Sequence, residues 1–203
     1  MHDFARSAAL VLVLLNPFLI IIYLLDVVQK LDFRRFTSTL VRAALLASAV
    51  FCCFALLGDA VFSEVVQAEF ASFQIFGGVI FLLIGIQFVF RGPTAIEMLR
   101  GDSKHLVGSI AVPVLVGPGT ISASVIVGKR LEPAVACVAV CSAVCISILI
   151  MLLLKLVHDY IRPKNDTIVQ RYIEIMGRII ALYVGTVSVQ MIMEGVRTWA
   201  AKF

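Results

Sequence analysis

Two short interruptions of apolar sequence contain the residues of this chain that are best suited to bind a ligand. The first is Asn16-Pro17, within LLNPFLI, and the second is Gly117-Pro118-Gly119, within VLVGPGTI. Proline removes a backbone donor and clashes with the carbonyl four residues earlier, so each motif predicts a break in a helix. At membrane depth a broken helix is tolerated only where it is buried in protein or lines a cavity. The two motifs therefore indicate a site enclosed by the protein.

The residue types at both breaks favour the start of a new helix. Asparagine and glycine serve as N-caps, and proline is preferred at the first helical position. A helix start presents unpaired amides and a positive dipole end, which suit a carboxylate or another small anion. Carbonyls before the breaks, at Val13, Ser109 and Val114, could accept from an ammonium group. Hydroxyls follow the second break, so the inventory fits a small zwitterion, and we predict a substrate site formed by Asn16, Pro17, Gly117, Pro118, Gly119, Thr120 and Ser122, with Ser124 nearby.

The composition indicates which elements must position these residues. Of 203 residues, 61% are hydrophobic and only 15% are charged, which is far from the composition of a soluble domain. Apolar stretches of about 20 residues form about 30 Å of helix, enough to cross a bilayer. We predict an all-α membrane protein with one transmembrane domain over residues 1–203 and six spans: Phe4–Leu25, Leu40–Val61, Phe73–Phe90, Leu106–Val127, Pro133–Val157 and Met176–Val196.

The third and sixth spans resemble each other at an offset of 100 residues. IFGGVIFLLIGIQ from Ile75 aligns with IMGRIIALYVGTV from Ile175, and two pairs of glycines coincide. The two break prolines have nearly the same offset. Since each half holds three spans, an odd number, we predict an inverted repeat, with one unit over about residues 4–91 and the other over about 105–198. This topology would point the two new helix starts into one central space from opposite sides.

Lysine and arginine predict the orientation. Ten of them follow or end the first, third and fifth spans (Lys30, Arg34, Arg35, Arg91, Arg100, Lys104, Lys155, Arg162, Lys164 and Arg171), and five lie on the other side (Arg6, Lys129, Arg130, Arg197 and Lys202). Because cytoplasmic loops carry the positive excess, we expect both termini outside the cytoplasm. The same excess accounts for the net charge of +4 without a nucleic-acid partner.

The sequence gives less support to a metal site or to catalysis. The five cysteines (Cys52, Cys53, Cys137, Cys141 and Cys145) all fall within spans. On the fifth span they alternate with alanine and serine, which indicates close helix packing by small residues and not a metal site. Histidine and acidic residues stand near span ends, so we expect no enzyme, no catalytic residues and no cofactor.

The chain resembles the MarC (UPF0056) family of integral membrane proteins, which are related to the LysE-type exporters. The resemblance extends over nearly the whole chain: the NP of the first span, GGVIFLLIGIQ, AVPVLVGPGTI and GRIIALYVGTVSVQMIMEG. It implies six transmembrane helices in a bacterial or archaeal cytoplasmic membrane, and transport of small neutral amino acids, as described for an archaeal relative. The family motif NPxGxxP is not continued here, where FLIII follows the proline.

The sequence therefore predicts a multi-pass permease or exporter for a small neutral amino acid or a similar zwitterionic or anionic metabolite. Its partners would be the lipid bilayer and a small-molecule substrate, and assembly into a homo-oligomer stays open. The alternative is a membrane assembly or regulatory protein that transports nothing, because small packing residues would look the same in such a protein.

Overall fold

A computed structural model describes residues 2–24, 28, 31–91, 115–161 and 166–201 of the chain. Within these ranges the regular structure is helical throughout. The α-helices are α1 (His2–Leu15), α2 (Pro17–Tyr23), α3 (Phe33–Ala60), α4 (Phe70–Arg91), α5 (Pro118–Arg130), α6 (Pro133–Ile161) and α7 (Asp166–Ala200). A π-helical segment, Val61–Val66, continues α3.

Four described helices are long and apolar enough to cross a membrane. These stretches are Phe33–Gly58 in α3, Phe70–Gln87 in α4, Pro133–Ile161 in α6 and Ile175–Ala200 in α7. They correspond to the second, third, fifth and sixth predicted spans. The first predicted span is divided between α1 and α2, and the fourth begins outside the described residues and continues into α5. The six-span inverted repeat stays a prediction.

Helices α1, α3, α5 and α6 enclose the main buried cluster. Small residues allow the backbones to approach closely, because α3 and α5 touch where a side chain on Gly128 would overlap the Ala55 carbonyl. On α6 half of the buried residues are alanine or serine, which agrees with the predicted packing role of its small residues. Across α3 and α6 the Cys52 and Cys141 sulfurs lie 3.8 Å apart.

Helices α4 and α7 form an antiparallel pair with glycines at the contact. A Cβ on Gly78 would lie 2.8 Å from the Ser188 carbonyl, and one on Gly85 would lie 3.2 Å from the Gly185 amide nitrogen. Gly78 and Gly85 therefore allow the two helices to come into close contact. Large apolar side chains such as Phe76 cover the outward faces, which suits contact with lipid acyl chains.

Candidate functional site

The first break is a single left-handed residue between two helices. Asn16 has a φ of 44°, a conformation that asparagine adopts more readily than most residues because its short polar side chain bonds locally. Its amide still donates to the Leu12 carbonyl, and its own carbonyl accepts from the Ile20 amide, both at 3.1 Å. Asn16 therefore ends α1 in the way that left-handed residues end helices. A new helix, α2, begins at Pro17 as the sequence predicted, and Asn16 closes one helix and opens the next at the same residue.

The missing proline donor at this break is replaced by a side chain from α7. In an unbroken helix the Val13 carbonyl would accept from the amide of residue 17, but Pro17 has no N–H. The Tyr183 hydroxyl donates to that carbonyl instead, at 3.1 Å. The Val13 carbonyl is thus already engaged, so it is not the open acceptor for an ammonium group that the sequence indicated. The other two carbonyls of that prediction, at Ser109 and Val114, lie outside the described residues.

The second break is capped by its own side chain. Gly117 is extended, with φ −103° and ψ 167°, and α5 begins at Pro118, as the sequence predicted. The Thr120 hydroxyl accepts from the Gly117 amide at 3.0 Å and lies 3.0 Å from the Leu115 carbonyl and 2.9 Å from the Gly117 carbonyl. One hydroxyl proton can serve only one of these carbonyls at a time. Thr120 therefore closes the break internally.

Helix α4 covers the start of α5. A side chain on Gly77 would overlap the Pro118 ring, so the two helices touch there. One turn along α4, the Phe81 ring lies over the break, because a Cβ on either Gly117 or Gly119 would come within 3.0 Å of it. The glycines at the second break thus provide room for an aromatic ring. The Phe81 ring therefore packs against the start of α5.

Two serines on α5 behave differently although both are buried. Ser124 donates to the Thr120 carbonyl at 2.8 Å, the usual way in which a serine hydroxyl is satisfied inside a helix. Ser122 is 4% exposed, and its hydroxyl has no partner among the described residues. A buried hydroxyl without a partner costs free energy relative to one in water. Ser122 is thus the predicted site residue whose hydroxyl lacks a partner among the described residues, a property that it shares with the buried Ser7 and Ser147.

The surroundings of the two breaks belong to one buried cluster. Leu15 and Leu115 precede the breaks, Ile20 and Ala123 follow them, and all four are part of it. Helix α1 also packs against α5. The structure therefore brings the two interrupted segments into one core, with Pro17 and Thr120 buried and Asn16, Gly117 and Pro118 half-buried.

Sequence reasoning missed Phe81 and Tyr183. A local signal existed for Phe81, because Gly77, Phe81 and Gly85 recur every four residues and so share one face of α4. For Tyr183 there was none, since it meets the first break across 170 residues of sequence.

Comparison with known proteins extends over almost the entire chain. A family model described as MarC family integral membrane protein matches residues 1–200. A relative named "UPF0056 membrane protein", from Buchnera aphidicola subsp. Schizaphis graminum (strain Sg), is 20% identical over 199 residues, which cover 98% of each chain. No solved structure gave a significant match.

Proposed function

Because the chain belongs to the MarC family of integral membrane proteins, we propose that it is a permease or exporter for a small neutral amino acid or a similar small zwitterion. Such a protein moves its substrate across the bilayer and carries out no chemistry on it. Its place would be the cytoplasmic membrane of a bacterium or archaeon, with both termini outside the cytoplasm.

The observation that carries this proposal is the partnerless Ser122 hydroxyl at the start of a half-helix. Buried hydroxyls in membrane helices normally bond to a carbonyl of their own helix, as Ser124 does. Ser122 lies one turn after Pro118, close to the start of α5. The first amides of an α-helix have no partner within the helix. Amides and a hydroxyl together supply donors for a carboxylate, and the hydroxyl can also accept from an ammonium group.

The cover over the second break supports transport over a purely structural role. The Phe81 ring is the outer end of a side chain, so it can turn away from Gly117 and Gly119 without moving the backbone. A substrate bound at the first amides of α5 would then take the place of the ring.

Flux in liposomes tests the proposal directly. Purified protein should exchange labelled alanine, glycine or serine across the bilayer faster than protein-free liposomes do, and unlabelled substrate should compete. Gly117→Leu should reduce this exchange to background, because the new side chain fills the space between the break and Phe81. Absence of exchange for all three amino acids would remove the substrate class.

Two serine variants test the site itself. Ser122→Ala should raise the KM for exchange about tenfold, the effect of losing one buried hydrogen bond to a charged ligand group. The matched control is Ser188→Ala, since Ser188 is equally buried but its hydroxyl donates to the Val184 carbonyl within α7. Equal KM values for the two variants would show that Ser122 does not contact the substrate.

Thiol labelling tests the proposed orientation. In a chain without its native cysteines, Ser63→Cys should react with an impermeant maleimide added outside the cell, whereas Ser103→Cys should react only after the membrane is permeabilised. The reverse pattern would reverse the orientation, and labelling of both from one side would remove the six-span arrangement.

A further inference from the structure

Lys155 is the only charged residue among the buried described residues. It stands on α6 and is 2% exposed. Because burying an ammonium group in a membrane protein is costly, such a residue persists where it has good partners and a role. Lys155 is not part of the proposed site, and in the sequence it is one of the ten cations that predict the orientation.

The ammonium group of Lys155 joins α6 to the first segment of the chain, which comprises α1, α2 and the described residues that follow them as far as Val28. It donates to the Val28 carbonyl at 2.5 Å and to Asp159 Oδ1 at 2.7 Å. The Phe36 ring of α3 lies 6.0 Å away, within the range of a cation–π contact. Asp159 is partly exposed and is also 3.4 Å from His158 Nδ1. The carbonyl and the carboxylate take up two of the three ammonium donors.

A continuous row of hydrogen bonds leads from this ammonium group to the first break. The Ile20 amide donates to the Asn16 carbonyl, Leu24 donates to Ile20, and Val28 donates to Leu24. The Val28 carbonyl then accepts from Lys155. Each of these backbone bonds spans four residues, as in an α-helix. These hydrogen bonds therefore connect Lys155 to Asn16 through the backbone.

We propose that Lys155 is a positioning residue that latches the far end of the first segment and so holds the first break in place. Removing the ammonium group would free the Val28 carbonyl in a buried place and let the segment from Pro17 onward separate from α6. As far as it concerns transport, this inference rests on the proposed function, since the latched segment carries one half of the proposed site. The latch itself can be measured without any substrate.

The test uses a buried cysteine as a reporter of local opening. In a chain whose native cysteines are alanine, Val28→Cys places a thiol at a position that is 1% exposed. Its reaction with N-ethylmaleimide should accelerate at least about tenfold when Lys155→Met is added, because breaking a buried charged contact shifts local opening by that much or more. Lys155→Arg should restore slow labelling, since a guanidinium can donate to both partners.

A second reporter separates the latch from a general loss of stability. Ala123→Cys lies on α5, where it is fully buried, and its labelling should not change with Lys155→Met. The matched charge control is Arg35→Gln, which breaks the exposed Arg35–Asp32 pair and should change neither reporter. Acceleration at both reporters, or at neither, would overturn the latch.

A second variant, Asp159→Asn, and the rate of exchange provide further tests of the latch. If Lys155→Met does not accumulate in the membrane, Asp159→Asn removes the counter-charge and keeps the lysine: faster labelling of Val28→Cys supports the latch, and an unchanged rate overturns it. Where exchange is measurable, Lys155→Met should slow it, and Lys155→Arg should restore it, because the latched segment carries one half of the proposed site. A protein that exchanges no amino acid but shows the labelling pattern would lose the proposed function and keep the latch.

Discussion

The two breaks are closed by different means. At the first, Asn16 takes a left-handed conformation and a hydroxyl from another helix, that of Tyr183, replaces the missing proline donor. At the second, Gly117 stays in an ordinary extended conformation and Thr120, three residues later, supplies the cap. The first break depends on tertiary structure, whereas the second is encoded within a few residues.

This difference separates two roles that proline and glycine motifs can have in a membrane helix. The glycines of the second break are needed for space, since Phe81 lies against both, and not for a positive φ. The first break needs an unusual φ and distant partners. We expect the second break to keep its shape while other helices move, and the first to change shape when α6 or α7 moves.

The largest effect should come from removing the cap of the second break. Thr120→Val keeps the shape of the side chain but leaves the half-buried Gly117 amide without its partner, so we expect the free energy of unfolding in detergent to fall by about 1 to 2 kcal/mol. Thr120→Ser, which keeps the hydroxyl, should recover most of this loss. Equal unfolding free energies for the two variants would contradict a self-capped second break.

A smaller effect should isolate the left-handed residue of the first break. Asn16→Ala and Asn16→Gly both delete the amide side chain, so the difference between them reports the backbone alone. We expect the glycine variant to be more stable by about 1 kcal/mol, because only alanine is strained at a positive φ. Chemical denaturation in the same detergent measures both, and an alanine variant as stable as the glycine variant would mean that the break is not left-handed in solution.

The smallest effect should come from removing the Tyr183 hydroxyl of α7, which donates to the Val13 carbonyl at the first break. Tyr183→Phe removes one hydrogen bond between membrane helices, which is worth about 0.6 kcal/mol on average. The control is Thr186→Val, because the Thr186 hydroxyl bonds only to the Leu182 carbonyl of its own helix. If the control lowers stability as much as Tyr183→Phe does, the bond across helices adds nothing, and the first break would be as self-contained as the second.

Hydropathy and proline positions predicted much of this architecture. They placed the spans found in α3, α4, α6 and α7, and they marked the starts of α2 and α5 to the residue, because a proline is tolerated at the first helical position and not in a helix interior. The termini of α7 were less accurate. It begins at Asp166, ten residues before the predicted sixth span, since polar ends of a helix can extend beyond the apolar stretch that hydropathy detects.

What the sequence could not predict are contacts between distant residues. Tyr183 and Lys155 each meet the first segment across more than a hundred residues, and no local pattern encodes such a pairing. The conformation of Asn16 was undetermined for another reason. Asparagine is favoured both as an extended N-cap and as a left-handed helix end, so its identity does not distinguish the two.

The contact between α4 and α7 has a consequence for how the protein is made. Gly85 touches Gly185, which the ribosome adds about 100 residues later, and at ordinary elongation rates this takes roughly 5 to 20 seconds. Until then α4 has to remain in the bilayer without its main neighbour, and lipid chains must cover the glycine face that α7 later occupies. Its apolar stretch, Phe70–Gln87, is long enough to span the membrane alone, so the nascent helix can wait there for the last part of the chain.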